Sequence, residues 1–72
     1  MIKMRLQDVL DGRQITQSQL AQMSGVRRAR INEICLDRVE RLELSHVNAI
    51  CNALNVPPWI WIIWTRDDDN SI

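Results

Sequence analysis

Arg27, Arg28 and Arg30 stand within four residues of one another in this 72-residue chain. A guanidinium stays protonated and presents five N–H donors in a planar fork. Such a cluster suits an anionic oxygen partner, or the paired acceptors on the edge of a guanine. Other chemistry finds little footing. No nucleophile–base pair and no glycine-rich phosphate loop is recognisable, so no catalytic residue is expected and the chain reads as a non-enzyme. Cys35, His46 and Cys51 lack the close Cys-x-x-Cys pair that a structural zinc uses. The two thiols read as small apolar core residues rather than a disulfide framework, and no metal or other cofactor is expected.

A chain of 72 residues makes one domain and leaves little room for a concave catalytic pocket. Its 46% hydrophobic and 25% charged content is globular. Tyr and Phe are absent, and β-branched residues form no repeated strand-like runs, which favours helices over a β sandwich or barrel. The longest apolar run, Trp59 to Trp64, is six residues. That is far short of the roughly 20 of a membrane span. With no signal-peptide apolar region at the start, a cytoplasmic protein is expected.

The net charge of zero hides a polarity. Residues 1–41 hold eight Lys and Arg against five acids, a surplus of three positive charges. Residues 42–72 carry the matching deficit. The balance argues against indiscriminate coating of nucleic acid, while the polarity allows one cationic face. The folded domain is expected over residues 1–66, with 67–72 an acidic disordered tail.

The elements that must position the arginines follow from local pattern. Leu6, Val9 and Leu10 mark a first helix ending at or near Gly12, preceded by a weak strand signal at Ile2 and Met4. Thr16-Gln17-Ser18-Gln19 has the form of a capping box opening a brief second helix. Gly25 permits a sharp positive-φ turn after it. A third helix over Arg27–Leu36 turns Ile31, Ile34 and Cys35 inward, and Ala29, Asn32, Glu33 and Leu36 outward. Asp37–Leu42 reads as a loop. Leu44, Val47, Ile50, Cys51 and Leu54 mark a fourth helix, with Asn55 as a left-handed cap and Pro57 and Pro58 barring continuation. His46 looks solvent-facing. Trp59–Trp64 can be a helical turn or a strand, and its composition favours a strand.

Two short helices joined by a glycine turn make a helix-turn-helix. Its second helix, about 15 Å long, can lie in a major groove about 12 Å wide. Arg28 can bond a guanine edge, Glu33 can accept from cytosine N4, and Ala29 can meet a thymine methyl.

Gln14-Ile15-Thr16-Gln17-Ser18-Gln19-Leu20-Ala21-Gln22-Met23-Ser24-Gly25-Val26 resembles the T-Q-x-x-L-A-x-x-x-G-V stretch of the Cro and phage-repressor type (lambda-repressor-like, XRE) helix-turn-helix family. Ile31-Asn32-Glu33-Ile34 resembles the I-x-x-I/L that follows it. Leu44 to Val56 resembles its L-x-x-L-x-x-I-C-x-A-L-x-V fourth helix. The likeness is nearest to a subgroup beginning M-I-x-x-x-L, whose chain ends can pair as a small sheet. It implies an all-α bundle of four to five short helices that binds double-stranded DNA, usually as a homodimer, as a transcriptional regulator. It further implies phosphate contact by Thr16 and Gln17 and base reading by Arg28, Ala29 and Glu33. Arg30 and Asn32 stand beside these readers and fit phosphate or base contact, and Arg38 and Arg41 lie in a loop that often meets the DNA backbone.

Three departures from that family stand out. Arg27 occupies the usual Ser/Thr cap of the recognition helix, which forgoes about 0.5–2 kcal/mol. It also adds positive charge at the positive end of the helix dipole. Phosphates would relieve both costs. Glu33 brings a negative charge toward phosphate, so it either reads cytosine, is held by Arg30 or another arginine, or is a plain surface acid. The third departure is Trp59, Ile60, Trp61, Ile62, Ile63 and Trp64. As a strand it would have two apolar sides, one covering the core and one forming a dimer or partner interface. The competing reading has all three tryptophans completing a thin core. This segment supports an alternative function, a protein-interaction module of the antitoxin or anti-repressor type.

Overall fold

The computed structural model describes residues 1–67. The acidic tail expected over 67–72 lies outside the described residues except for Asp67. The order is β1 (Ile2–Met4), α1 (Leu6–Arg13), α2 (Gln17–Ser24), α3 (Arg28–Cys35), α4 (Leu44–Leu54), a 3-10 turn (Pro58–Ile60) and β2 (Ile62–Trp64). Four short helices and a small pairing of the chain's two ends are the architecture expected above.

The helices enclose Leu6, Leu10, Leu20, Val26, Ile31, Ile34, Ile50, Leu54 and Trp61. Seven of these residues come from apolar positions of the four helices, while Val26 and Trp61 come from the turns beside them, and burying one such side chain contributes about 1.5–3 kcal/mol. The α2 helix starts on its capping box. The Thr16 hydroxyl accepts the Gln19 N–H at 3.0 Å, and the Gln19 carboxamide oxygen accepts the Thr16 N–H at 2.8 Å. Gly25 ends α2 at φ 77°, a conformation open to glycine at no steric cost. Ser24 stitches the turn: its hydroxyl donates to the Leu20 carbonyl and accepts the Val26 N–H. Asn55 closes α4 at φ 55°, as expected for a left-handed cap.

β1 and β2 pair antiparallel, with Ile2 opposite Trp64, Lys3 opposite Ile63 and Met4 opposite Ile62. Thr65 extends the ladder by donating to the Met1 carbonyl, and the Met1 ammonium meets the Asp67 carboxylate.

The first helix ends at Arg13, one residue past Gly12 and so near it as expected, and Gln14 takes the left-handed cap at φ 57°. Leu10 is fully buried on the last turns, so packing carries the helix past an exposed glycine whose propensity cost is only about 1 kcal/mol. Two local expectations need correction. Leu44 opens α4 but is 84% exposed, because the first turn projects beyond the core that Ile50 and Leu54 reach. Trp59–Trp64 is not one strand. Pro58 suits the first position of a 3-10 turn, with φ already set, and only Ile62–Trp64 is extended. The expected alternation of faces therefore fails. Trp61, after the turn, is wholly buried in the core and drops out of the expected interface. Trp59 and Trp64 remain exposed.

Candidate nucleic-acid interface

The candidate site is built on α3. Ile31 and Ile34 anchor its inner side in the core, which leaves Arg28, Ala29, Asn32, Glu33 and Leu36 exposed on its outer side. Arg28, Ala29 and Asn32 line one shallow recess of about 350 Å³. Arg28 also borders a second recess, which it shares with Asp11 and Gln14 at the end of α1 and with Thr16, Gln17 and Ser18 at the start of α2. One guanidinium therefore joins the outer side of α3 to the N-terminal turn of α2. In that turn the first backbone N–H groups lack helical partners, and the helix dipole favours an anion.

Arg27 is the N-cap of α3, extended at φ −60° and ψ 140°, with no side-chain hydrogen bond to the helix start. The missing cap and the positive charge at the dipole's positive end are thus both present, as the sequence indicated. Arg30 is half-buried. Its Nη1 lies 3.4 Å from Glu33 Oε2 and its Nη2 donates to the Arg41 carbonyl. Of the alternatives open for Glu33, the structure has it paired with Arg30. Arg38 and Arg41 are exposed on the loop after α3.

Thr16 is exposed, but its hydroxyl already serves the capping box. Gln17 is half-buried and its amide donates to Gln7 Oε1 at 2.9 Å. Gln14 and Ser18 share the recess with them, and neither was singled out from sequence. The signal available was position: the cap that closes α1 and the cap that opens α2 are only two residues apart in the chain and stand side by side.

The remaining chemistry-bearing groups do not gather. Cys35 and Cys51 are free and half-buried. Burial pushes the Cys35 thiol up to about 11, the Asp11 carboxylate adds to the rise, and a hydrogen bond with Gln17 opposes it. His46 is half-buried rather than solvent-facing, with Nε2 3.6 Å from Glu43 Oε2. Among the described residues no three His, Cys, Asp or Glu side chains come together as a metal group, and no helix is long and apolar enough to cross a membrane.

Comparison with curated proteins finds no match. Comparison with protein families gives one, described as a Cro/C1-type HTH DNA-binding domain and matching residues 5–58. That range contains the capped second helix, the glycine turn, the arginine-bearing third helix and all of α4. The chain therefore belongs to the Cro/C1-type helix-turn-helix family of DNA-binding domains.

Proposed function

We propose that this protein is a sequence-specific transcriptional regulator that reads the DNA major groove with α3 and represses by occupying a promoter. The observation that carries this reading is the exposed trio Arg28, Ala29 and Asn32 around one recess on the outer side of α3. Arg28 suits guanine, Asn32 adenine and Ala29 a thymine methyl. Arg27, Arg38 and Arg41, with the α2 start at Thr16 and Gln17, supply the phosphate contacts that fix register. The protein acts in the cytoplasm as a homodimer. Its two recognition helices then meet half-sites about 34 Å apart.

Selection from random duplex oligonucleotides, followed by titration at several salt concentrations, tests this. A guanine-containing motif should be enriched, and log K should fall with log salt by about 0.9 per phosphate neutralised. Replacing Arg28 with Ala should cost roughly 1–3 kcal/mol, about 5- to 150-fold, and erase the preference at one position. Retention that is indifferent to sequence and salt would sink the proposal.

A second reading rests on the apolar surface. Trp59 is 71% exposed, Trp64 66% and Ile2, its cross-strand partner, 60%. Such a surface suits a protein partner. The chain would then serve as an antitoxin or anti-repressor module, and the salt series above separates the two readings.

A further inference from the structure

The loop between α3 and α4 (residues 36–43) leaves the recognition helix through backbone bonds, the last from the Arg38 N–H to the Glu33 carbonyl, and is tied back to it farther on by one side chain. Only 25% of the Arg30 side chain is exposed, and its fork is engaged at both tips, by Glu33 Oε2 and by the Arg41 carbonyl. Among the described residues, Arg27 and Arg28 at the same end of α3 form no such side-chain contacts. At its other end the loop is held by the Met4 N–H, which donates to Asp37 Oδ1 at 3.1 Å. Val39, between these two ties, and Leu42, just past the one at Arg41, pack against the core. Arg38 and Arg41 are left exposed on a segment fixed at both ends.

We propose that Arg30 is a positioning residue rather than a DNA contact: it sets Glu33 and the loop bearing Arg38 and Arg41 against α3 before DNA arrives. The proposal rests on the DNA-binding reading above and deepens it. Both Nη atoms of Arg30 are already committed to protein acceptors, which holds the fork against the loop. Ordering the loop in the free protein removes an entropic cost that binding would otherwise carry. Pairing also holds the Glu33 carboxylate in one place and offsets its repulsion toward phosphate. A planar fork spans the two acceptors, whereas the compact ammonium of lysine does not match that geometry.

The test compares wild type, Arg30→Ala and Arg30→Lys. Amide hydrogen exchange in the free protein shows whether the loop is held, and DNA titration against salt shows whether a phosphate contact is lost. Amides in 37–43 should exchange several-fold faster in both variants, with α1 and α4 unchanged. DNA affinity should fall several-fold in both, the salt slope should stay as in wild type, and the base preference opposite Glu33 should change. A slope shallower by about 0.9 in Arg30→Ala, with Arg30→Lys like wild type, would make Arg30 a phosphate contact and overturn the proposal. Faster exchange throughout the fold would overturn it too, by making Arg30 a general stabiliser. If Arg30→Ala does not fold, Arg30→Lys alone decides. Wild type that shows no salt-sensitive retention would sink the parent reading, while exchange in the free protein would still show whether Arg30 holds the loop.

Discussion

Arg13 donates from Nη1 to the Leu54 carbonyl at 2.7 Å, joining the end of α1 to the end of α4. The carbonyls of a helix's last turn lack helical partners and carry the negative end of its dipole, so a guanidinium is favourable there. Arg13 belongs to the cationic half of the sequence yet serves the fold. Arg13→Ala should lower stability by about 1 kcal/mol, or about 4–8 °C in melting temperature for a domain this small. Its salt slope for DNA should match wild type. Thermal melts and salt titrations check both, and a shallower slope would place Arg13 among the phosphate contacts instead.

Arg27 poses the opposite trade. It caps α3 with no side-chain hydrogen bond, at the helix end where positive charge is disfavoured. Arg27→Ser should supply the missing cap and stabilise the protein by about 0.5–2 kcal/mol. The same change should weaken DNA binding and reduce the salt slope by about 0.9, because one cation is gone. Calorimetry and binding on the same preparation test the pair. Lower melting, or tighter specific binding, would refute the idea that DNA compensates for the absent cap.

Cys35 gives a pH signature. Its thiol is raised from 9.0 to about 11, first by burial and then by the nearby Asp11 charge. A raised folded-state value means that the native protein keeps the proton while the unfolded chain has already lost it. The associated stability is therefore complete below about 9 and is lost as pH rises through about 11. Denaturant midpoints between pH 8 and 11 should fall more steeply for wild type than for Cys35→Ala. Cys35 should also resist alkylation near pH 8, since the thiolate is the reactive form. Equal slopes and fast labelling would count against this.

What could be seen in the sequence was what local chemistry decides. The Thr16–Gln19 capping box, Gly25 and Asn55 each follow from a backbone conformation that few residue types favour. Ile31 and Ile34 follow from helical period. The outward set Arg28, Ala29, Asn32 and Glu33 then comes as their complement. Gly12 marked the end of α1 to within one residue, but Gln14 as its left-handed cap stayed hidden because packing by Leu10 decides the last turn. The contact of Arg30 with the Arg41 carbonyl was not visible because it crosses a loop that no period encodes. Alternation misplaced Trp61 because a proline-initiated turn resets the chain direction just before it.

The three tryptophans should therefore behave as three different residues. Trp61 is wholly buried, and its indole N–H has no hydrogen-bond partner among the described residues. Trp61→Ala opens a large cavity and should cost about 3–5 kcal/mol, a large part of the stability of so small a domain. Trp61→Phe removes the unpartnered N–H along with some volume, so it should cost considerably less. Trp59→Ser and Trp64→Ser remove exposed apolar area and should leave melting within about 0.5 kcal/mol. If these two side chains form the homodimer contact, either serine variant should shift sedimentation at micromolar concentration toward the monomer. DNA binding to a two-half-site duplex should then weaken more than binding to a single half-site. Wild type that sediments as a strict monomer at high micromolar concentration would remove the dimer through this surface. Loss of folding in Trp59→Ser or Trp64→Ser would return those side chains to the core.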